Sequence, residues 1–228
     1  MNTERVKELL AKAGAVIDGH FVGTNGGHFT PYIAKDHQVT CLPSIASELC
    51  AGLARRFANS LIHAVVGPAV GAVPLSTWMA VHLSQLNLGY PEVLALFSEH
   101  DEEDVGKTGE GRLILRRPWF VLKCGFAEKV AGKCVLAIED TLTTGGSALQ
   151  TVRAIRQAGG HVVGLAVLVN GGAVTAKMCE VPRLEALLTI DQKIYTEIDC
   201  AGFGLCARRE PLNTNYGHGA AFLARQGR

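Results

Sequence analysis

Residues 134–148 read CVLAIEDTLTTGGSA and hold the side chains with the most chemistry to offer in this chain. An apolar run leads to two adjacent carboxylates, Glu139 and Asp140, then to a loop rich in Thr and Gly, then to a helix-forming stretch. Such a loop suits a phosphate monoester. Thr143, Thr144 and Ser147 offer hydroxyls, Gly145 and Gly146 leave backbone N–H groups unhindered, and the helix that follows aims its positive end at the same point. Carboxylates repel a phosphate, so their presence next to the cradle makes sense only if the ligand also carries hydroxyls, as ribose 5-phosphate does. Two other phosphate loops fail on spacing: no Lys follows the glycines as a Walker loop requires, and GxGxxG does not follow a strand. The chain also lacks the G-x-S-x-G turn of a serine nucleophile.

The elements that must position these groups alternate in type. Apolar spacing predicts helices over residues 4–13, 42–58, 75–86 and 147–159, and short apolar runs predict strands over 62–67, 93–98, 134–140, 161–169 and 184–190. Buried strands alternating with helices imply an α/β fold with a mostly parallel sheet flanked by helices, which places ligands beyond the carboxyl ends of the strands. Two stretches break the alternation. Residues 98–132 form a long connection, an acidic run followed by a Gly-rich turn and a basic apolar piece, as expected for a lid or hairpin excursion. The tail from Asp199 is turn-rich without an obvious core face, and is expected to wrap over the sheet.

Length and composition fit a single domain: 228 residues, 48% hydrophobic, with a formal net charge of +1. That balance gives no general attraction to nucleic acid or to an anionic membrane, so neither is an expected partner and any anion must be caught locally. No apolar run approaches the ~20 residues of a membrane span, and the charged opening residues do not read as a secretory signal. An odd number of cysteines, seven, favours reduced thiols and a cytoplasmic location. Cys200 and Cys206 could hold zinc with His218 and Cys179, but C-x5-C departs from the usual spacing, and buried thiols are the expectation. His100, beside Glu99, could titrate near neutrality, although a plain surface role is the commoner fate of such a residue.

The segment 134–148 resembles the phosphoribosyl pyrophosphate (PRPP) motif of type I phosphoribosyltransferases, an apolar strand, an acidic pair and T-x-T-T-G-G-S. The resemblance extends to orotate phosphoribosyltransferases in two further blocks: GHFVGTNGGHFTPYIAKD (19–36), similar to the family's amino-terminal strand pair, and VGPAVGAVPL (66–75), similar to its pyrophosphate loop. It implies an N-terminal element over about 1–40, a core over about 42–190 and a C-terminal tail over about 191–228.

The implied reaction is transfer of ribose 5-phosphate from PRPP to a nitrogenous base, orotate first, with Mg²⁺ as cofactor and a homodimer as the working form. The alternatives are another acceptor base, or PRPP or nucleotide binding without turnover. Glu139 and Asp140 would hold the ribose hydroxyls and, through ligand and water, the metal. Thr141, Leu142, Thr143, Thr144, Gly145, Gly146 and Ser147 would surround the 5-phosphate, and Pro68, Ala69, Val70 and Gly71 the pyrophosphate. Thr24, Asn25 and Gly26 fall on the base side. Of the excursion's cations (Lys107, Arg112, Arg116, Arg117, Lys123), Lys123 and Arg117 are assigned catalytic roles with Asp140. Three positions where family members often carry a cation read Thr24, Val70-Gly71 and Asn170-Gly171-Gly172 here.

Overall fold

A computed structural model of the chain describes residues 1–23, 26–33, 39–86, 91–101, 103–107, 113–116, 119–190, 194–225 and 227. In chain order the elements are α1 (Thr3–Lys12), β1 (Val16–Ile17), β2 (Phe21–Val22), β3 (His28–Phe29), β4 (Tyr32–Ile33), α2 (Pro43–Arg56), β5 (Ala64–Pro68) and α3 (Val73–Leu86). Next come β6 (Leu94–His100), the hairpin β7 (Glu103–Lys107) and β8 (Leu113–Arg116), β9 (Phe120–Val121), α4 (Phe126–Val130), β10 (Cys134–Leu142) and α5 (Gly146–Gln157). The chain continues through β11 (His161–Asn170), β12 (Leu184–Thr189), β13 (Ile194–Tyr195), α6 (Glu197–Phe203) and α7 (Gly219–Arg225).

The central sheet runs β12-β11-β10-β5-β6-β9, parallel throughout except for the edge strand β9. Its period of two sorts β10 between two cores. Leu136 and Ile138 join Leu49, Leu53, Leu75 and Met79 on the side covered by α2 and α3, while Val135 and Ala137 join Val152 and Ile155 of α5 on the other. The expected α/β layering is therefore present. From β5 the chain steps outward to β6, then returns to the opposite side of β5 as β10, so strand order reverses between β5 and β10. A crevice opens at the carboxyl ends of these two strands, where such sheets bind ligands.

Helix α1 belongs to this core, since Val6, Leu9 and Leu10 are buried in the α2 side and Arg5 holds Glu48 of α2 through two hydrogen bonds of 2.8 and 2.9 Å. The rest of the N-terminal region stands apart, as a three-stranded sheet β13-β3-β2 and a β1-β4 pair. The tail corrects the sequence expectation of a segment wrapped over the sheet, for its described residues pack on these N-terminal strands. Strand β13 pairs with β3, Leu212 bridges His20, and the N–H groups of Asn213 and His218 donate to the carbonyls of His20 and Val22 at 2.8 Å. Its core face consists of Cys200, Leu205 and Phe222, all buried.

The long excursion contains the hairpin β7-β8, followed by β9 on the sheet edge. Among the described residues no helix is long and apolar enough to cross a membrane. Phe57 closes α2 fully buried, with the Arg183 guanidinium 4.9 Å from its ring centre and Gly164 tight against its edge. Phe57→Ala is expected to cost about 3–5 kcal/mol, read as a lower midpoint in urea unfolding.

Candidate functional site

Strand β10 delivers both carboxylates to the crevice nearly out of water, Glu139 at 7% and Asp140 at 5% exposure. Backbone donors hold them: the Asp140 N–H donates to Glu139 Oε1 at 3.2 Å, and the Thr141 N–H donates to Asp140 Oδ1. Burial, and secondarily the charge of Glu139, push the Cys179 thiol up, keeping it a neutral packing group behind the loop. Beyond Leu142 the chain turns into α5, whose first turn no cap side chain closes from Gly145. Thr144 Oγ1 accepts from the Gly146 N–H at 3.4 Å, and Thr143, Thr144, Gly146 and Ser147 are exposed. The arrangement presents hydroxyls and helix N–H groups to an incoming anion.

All of the residues 139–147 line one cavity of about 500 Å³, together with Pro68, Ala69, Val70 and Gly71 from the turn after β5. That turn is fixed at its base, where the Ala69 N–H donates to the Ser98 carbonyl at 2.7 Å and the Ala72 N–H to the Pro68 carbonyl at 3.2 Å; the Ala69–Val70 peptide is cis. Ser98 Oγ in turn shares a buried 2.8 Å hydrogen bond with Thr151 Oγ1, coupling β6 to α5 beneath the cavity. Both sequence-derived loops thus converge on one volume. Glu139 and Asp140 add hard oxygen donors to it, the type of donor Mg²⁺ prefers.

The opposite wall comes from Val22, Gly23, Phe29 and Tyr32 of the N-terminal strands and from Ile194, Gly217 and His218 of the tail. Phe29 and Tyr32 lie with near-parallel rings 6.3 Å apart, and Tyr32 meets Tyr216 at 5.7 Å. Sequence reasoning missed the tail residues of this wall; the 19–36 block held Phe29 and Tyr32, but attention fell on Thr24, Asn25 and Gly26. Thr24 and Asn25 lie outside the described residues, and Gly26 is not among the lining residues.

Of the excursion's five cations, Lys123 is the one whose side chain is described. Lys123 donates to the His100 carbonyl at 3.1 Å and lies 3.8 Å from Asp101 Oδ1, outside the cavity lining. Arg112 and Arg117 fall outside the described residues. Phe120 does line the cavity, with the His100 ring edge-on to it at 4.4 Å, and His100 itself does not. Cys179 and His218, weighed in the sequence as zinc companions of Cys200 and Cys206, are elsewhere: Cys179 is packed in the α5-side core, and His218 is in the cavity wall. Where an Arg was sought, Asn170 braces a turn, donating to the Val174 carbonyl at 2.8 Å and accepting from its N–H at 3.1 Å.

The crevice at the strand-order reversal is thus bordered by the start of α5, a buried acidic pair and the turn after β5. The family model of the phosphoribosyl transferase domain matches residues 44–183, and the chain belongs to that family. It is 33% identical over 200 residues to the orotate phosphoribosyltransferase of Desulforamulus reducens, covering 88% of this chain and 91% of the relative. To that of Pelotomaculum thermopropionicum it is 35% identical over 202 residues, again covering 88% and 91%. Within the family the chain therefore stands among the orotate phosphoribosyltransferases. The fold agrees: the solved orotate phosphoribosyltransferase of Aeropyrum pernix superposes with a TM-score of 0.57 at 22% identity, over 81% of this chain and 93% of that one.

The turn after β11 is packed directly behind the loop 141–147. A Cβ on Gly172 would collide with the Thr143 carbonyl oxygen, so a side chain there must displace the loop. Gly172→Ala is expected to weaken PRPP binding by about tenfold or more, roughly 1.4 kcal/mol by calorimetry. Gly202→Ala, which meets open space, serves as the unaffected control.

Proposed function

We propose that this protein transfers ribose 5-phosphate from PRPP to a ring nitrogen of orotate, releasing pyrophosphate and forming orotidine 5′-phosphate in pyrimidine nucleotide synthesis. The observation that carries the reading is the convergence of the acidic strand end, the phosphate loop and the post-β5 turn on one cavity with an aromatic wall. Glu139 and Asp140 hold the ribose hydroxyls, the loop 141–147 holds the 5-phosphate, and the backbone of 68–71 holds the pyrophosphate. Phe29 and Tyr32 offer apolar faces to the base. In the reaction the C1–O bond to pyrophosphate breaks and a C1–N bond forms, through a centre with oxocarbenium character. The protein's part is to position both partners and to stabilise charge, with no covalent intermediate required.

Mg²⁺, held at Glu139 and Asp140 through ligand and water oxygens, would supply positive charge against the pyrophosphate. Lys123 and Arg117 belong to the same proposal, as cations brought to the leaving group by the excursion 99–126 in a homodimer that shares its loops. Seven free cysteines suit a reducing, cytoplasmic setting.

One observation favours a second acceptor. Among the described lining residues there is no Lys or Arg to pair with the carboxylate of orotate, and the wall offers His218 as a hydrogen-bonding group there. An uncharged base is the alternative.

Pyrophosphate release from PRPP and Mg²⁺ with orotate, uracil and purines separates the readings. Release with orotate alone is expected; release with an uncharged base alone would establish the alternative, and PRPP binding without release on any base would sink the enzyme reading. Asp140→Asn is expected to lower kcat by about 10²–10³-fold with an unchanged unfolding midpoint; full activity in that variant would displace the ribose site from the end of β10.

A further inference from the structure

Four metal-type ligands meet outside the cavity, where the N-terminal strands join the tail. His20 and His28 come from the strand region around β2 and β3, Cys200 from α6 and Cys206 from the turn after it, and their ligand atoms all lie within 4.8 Å of one another. His20, His28 and Cys200 are buried at 2%, 0% and 0% exposure. None of the four lines the cavity. We propose that His20 Nε2, His28 Nδ1, Cys200 Sγ and Cys206 Sγ form a structural Zn²⁺ site that fastens the tail to the N-terminal strands.

The distances suit a tetrahedral Cys2His2 centre. With Zn–S near 2.3 Å and Zn–N near 2.0–2.1 Å, a sulfur and a nitrogen on one zinc stand about 3.6 Å apart. Here Cys206 Sγ lies 3.6 Å from His28 Nδ1 and 3.8 Å from His20 Nε2, and Cys200 Sγ lies 3.7 Å from His20 Nε2. The two ring nitrogens are closer, at 2.7 Å, so metal binding requires them to part by roughly 0.6 Å. Two thiolates and one Zn²⁺ sum to zero charge, which removes the electrostatic objection to burying the group. Four protein ligands and no open position make the site structural rather than catalytic.

The surrounding groups are set for the same role. His20 Nδ1–H donates to the Glu210 carbonyl at 3.0 Å, which leaves the Nε2 lone pair facing the sulfurs. The Cys206 N–H donates to Cys200 Sγ at 3.2 Å, which orients this sulfur toward the cluster. Gly204 lets the chain fold back between the two cysteines, for a Cβ there would lie 2.7 Å from Cys200 Cα and 3.1 Å from its sulfur. On the far side His28 Nε2 is buried without a hydrogen-bond partner, its ring perpendicular to Phe222 at 4.9 Å. A metal bond at Nδ1 would compensate the burial of this imidazole.

The test is elemental analysis of the full chain, purified with a histidine-free tag under reducing conditions. One zinc per chain is expected. Exchange of the wild-type metal for Co²⁺ should give the intense visible bands of a tetrahedral site with thiolate-to-metal charge transfer, a readout that needs no variant. Cys206→Ser should lower metal affinity at least ~10-fold. Zinc-free wild-type protein, with thiols free or joined as a Cys200–Cys206 disulfide, together with no tetrahedral Co²⁺ spectrum, would overturn the site. That the zinc also supports the base-side wall rests on the function proposed above: chelation should then raise KM for the base while PRPP affinity holds. Zinc without orotate turnover would count against that function alone, whereas turnover without zinc would count against the site alone.

Discussion

Glu139 and Asp140 lie near the carboxyl end of β10, after residues 135–138 that are all buried, so two neighbouring carboxylates are held almost free of water. An arrangement of that kind is costly unless backbone donors and a hydroxyl-bearing ligand answer it. The structure supplies the donors locally, through the N–H groups of Asp140 and Thr141. It supplies the ligand volume by reversing strand order at this edge, which leaves a crevice between β10 and β5. The positions of α5, of the turn after β5 and of the turn at Gly172 all follow from where β10 stops.

The rest of the molecule divides by what it adds to that crevice. The sheet and its helices build the half that carries the acidic pair and the two loops, and they do so with ordinary buried residues whose spacing follows period two in strands and about 3.6 in helices. The other half is made by short strands and tail segments that hold one another in place. Val22, Gly23, Phe29 and Tyr32 face the cavity from one end of the chain, and Ile194, Gly217 and His218 from the other. The acidic pair and its loops thus lie on the sheet, and the wall opposite them lies on a part assembled from segments far apart in sequence.

That division also explains what could be read in the sequence. The central strands are covered on both faces, so each is an unbroken apolar run, and their positions were legible to within a few residues. Strand β10 extends past Asp140 to Leu142 because Leu142 aligns with Asn170 of β11 and accepts the Gly171 N–H, a partnership that no local pattern announces. The tail was misplaced for the same reason. Its β13 is two residues long and takes its register from β3, far away in sequence, so neither alternation nor helical spacing marks it. His20 and His28 carried a faint signal, the repeated Gly-His-Phe at 19–21 and 27–29, which gains meaning only when Cys200 and Cys206 are brought beside it.

The joining of the two ends has a temporal side. During synthesis the strands through β12 and the helices on them can condense while the chain is still growing, because every partner they need has already emerged. The aromatic wall cannot be completed before Ile194, Gly217 and His218 have been made. Once β12 has been made, the loop at the end of β10 can therefore be in place while the wall opposite it still waits for residues 194–218.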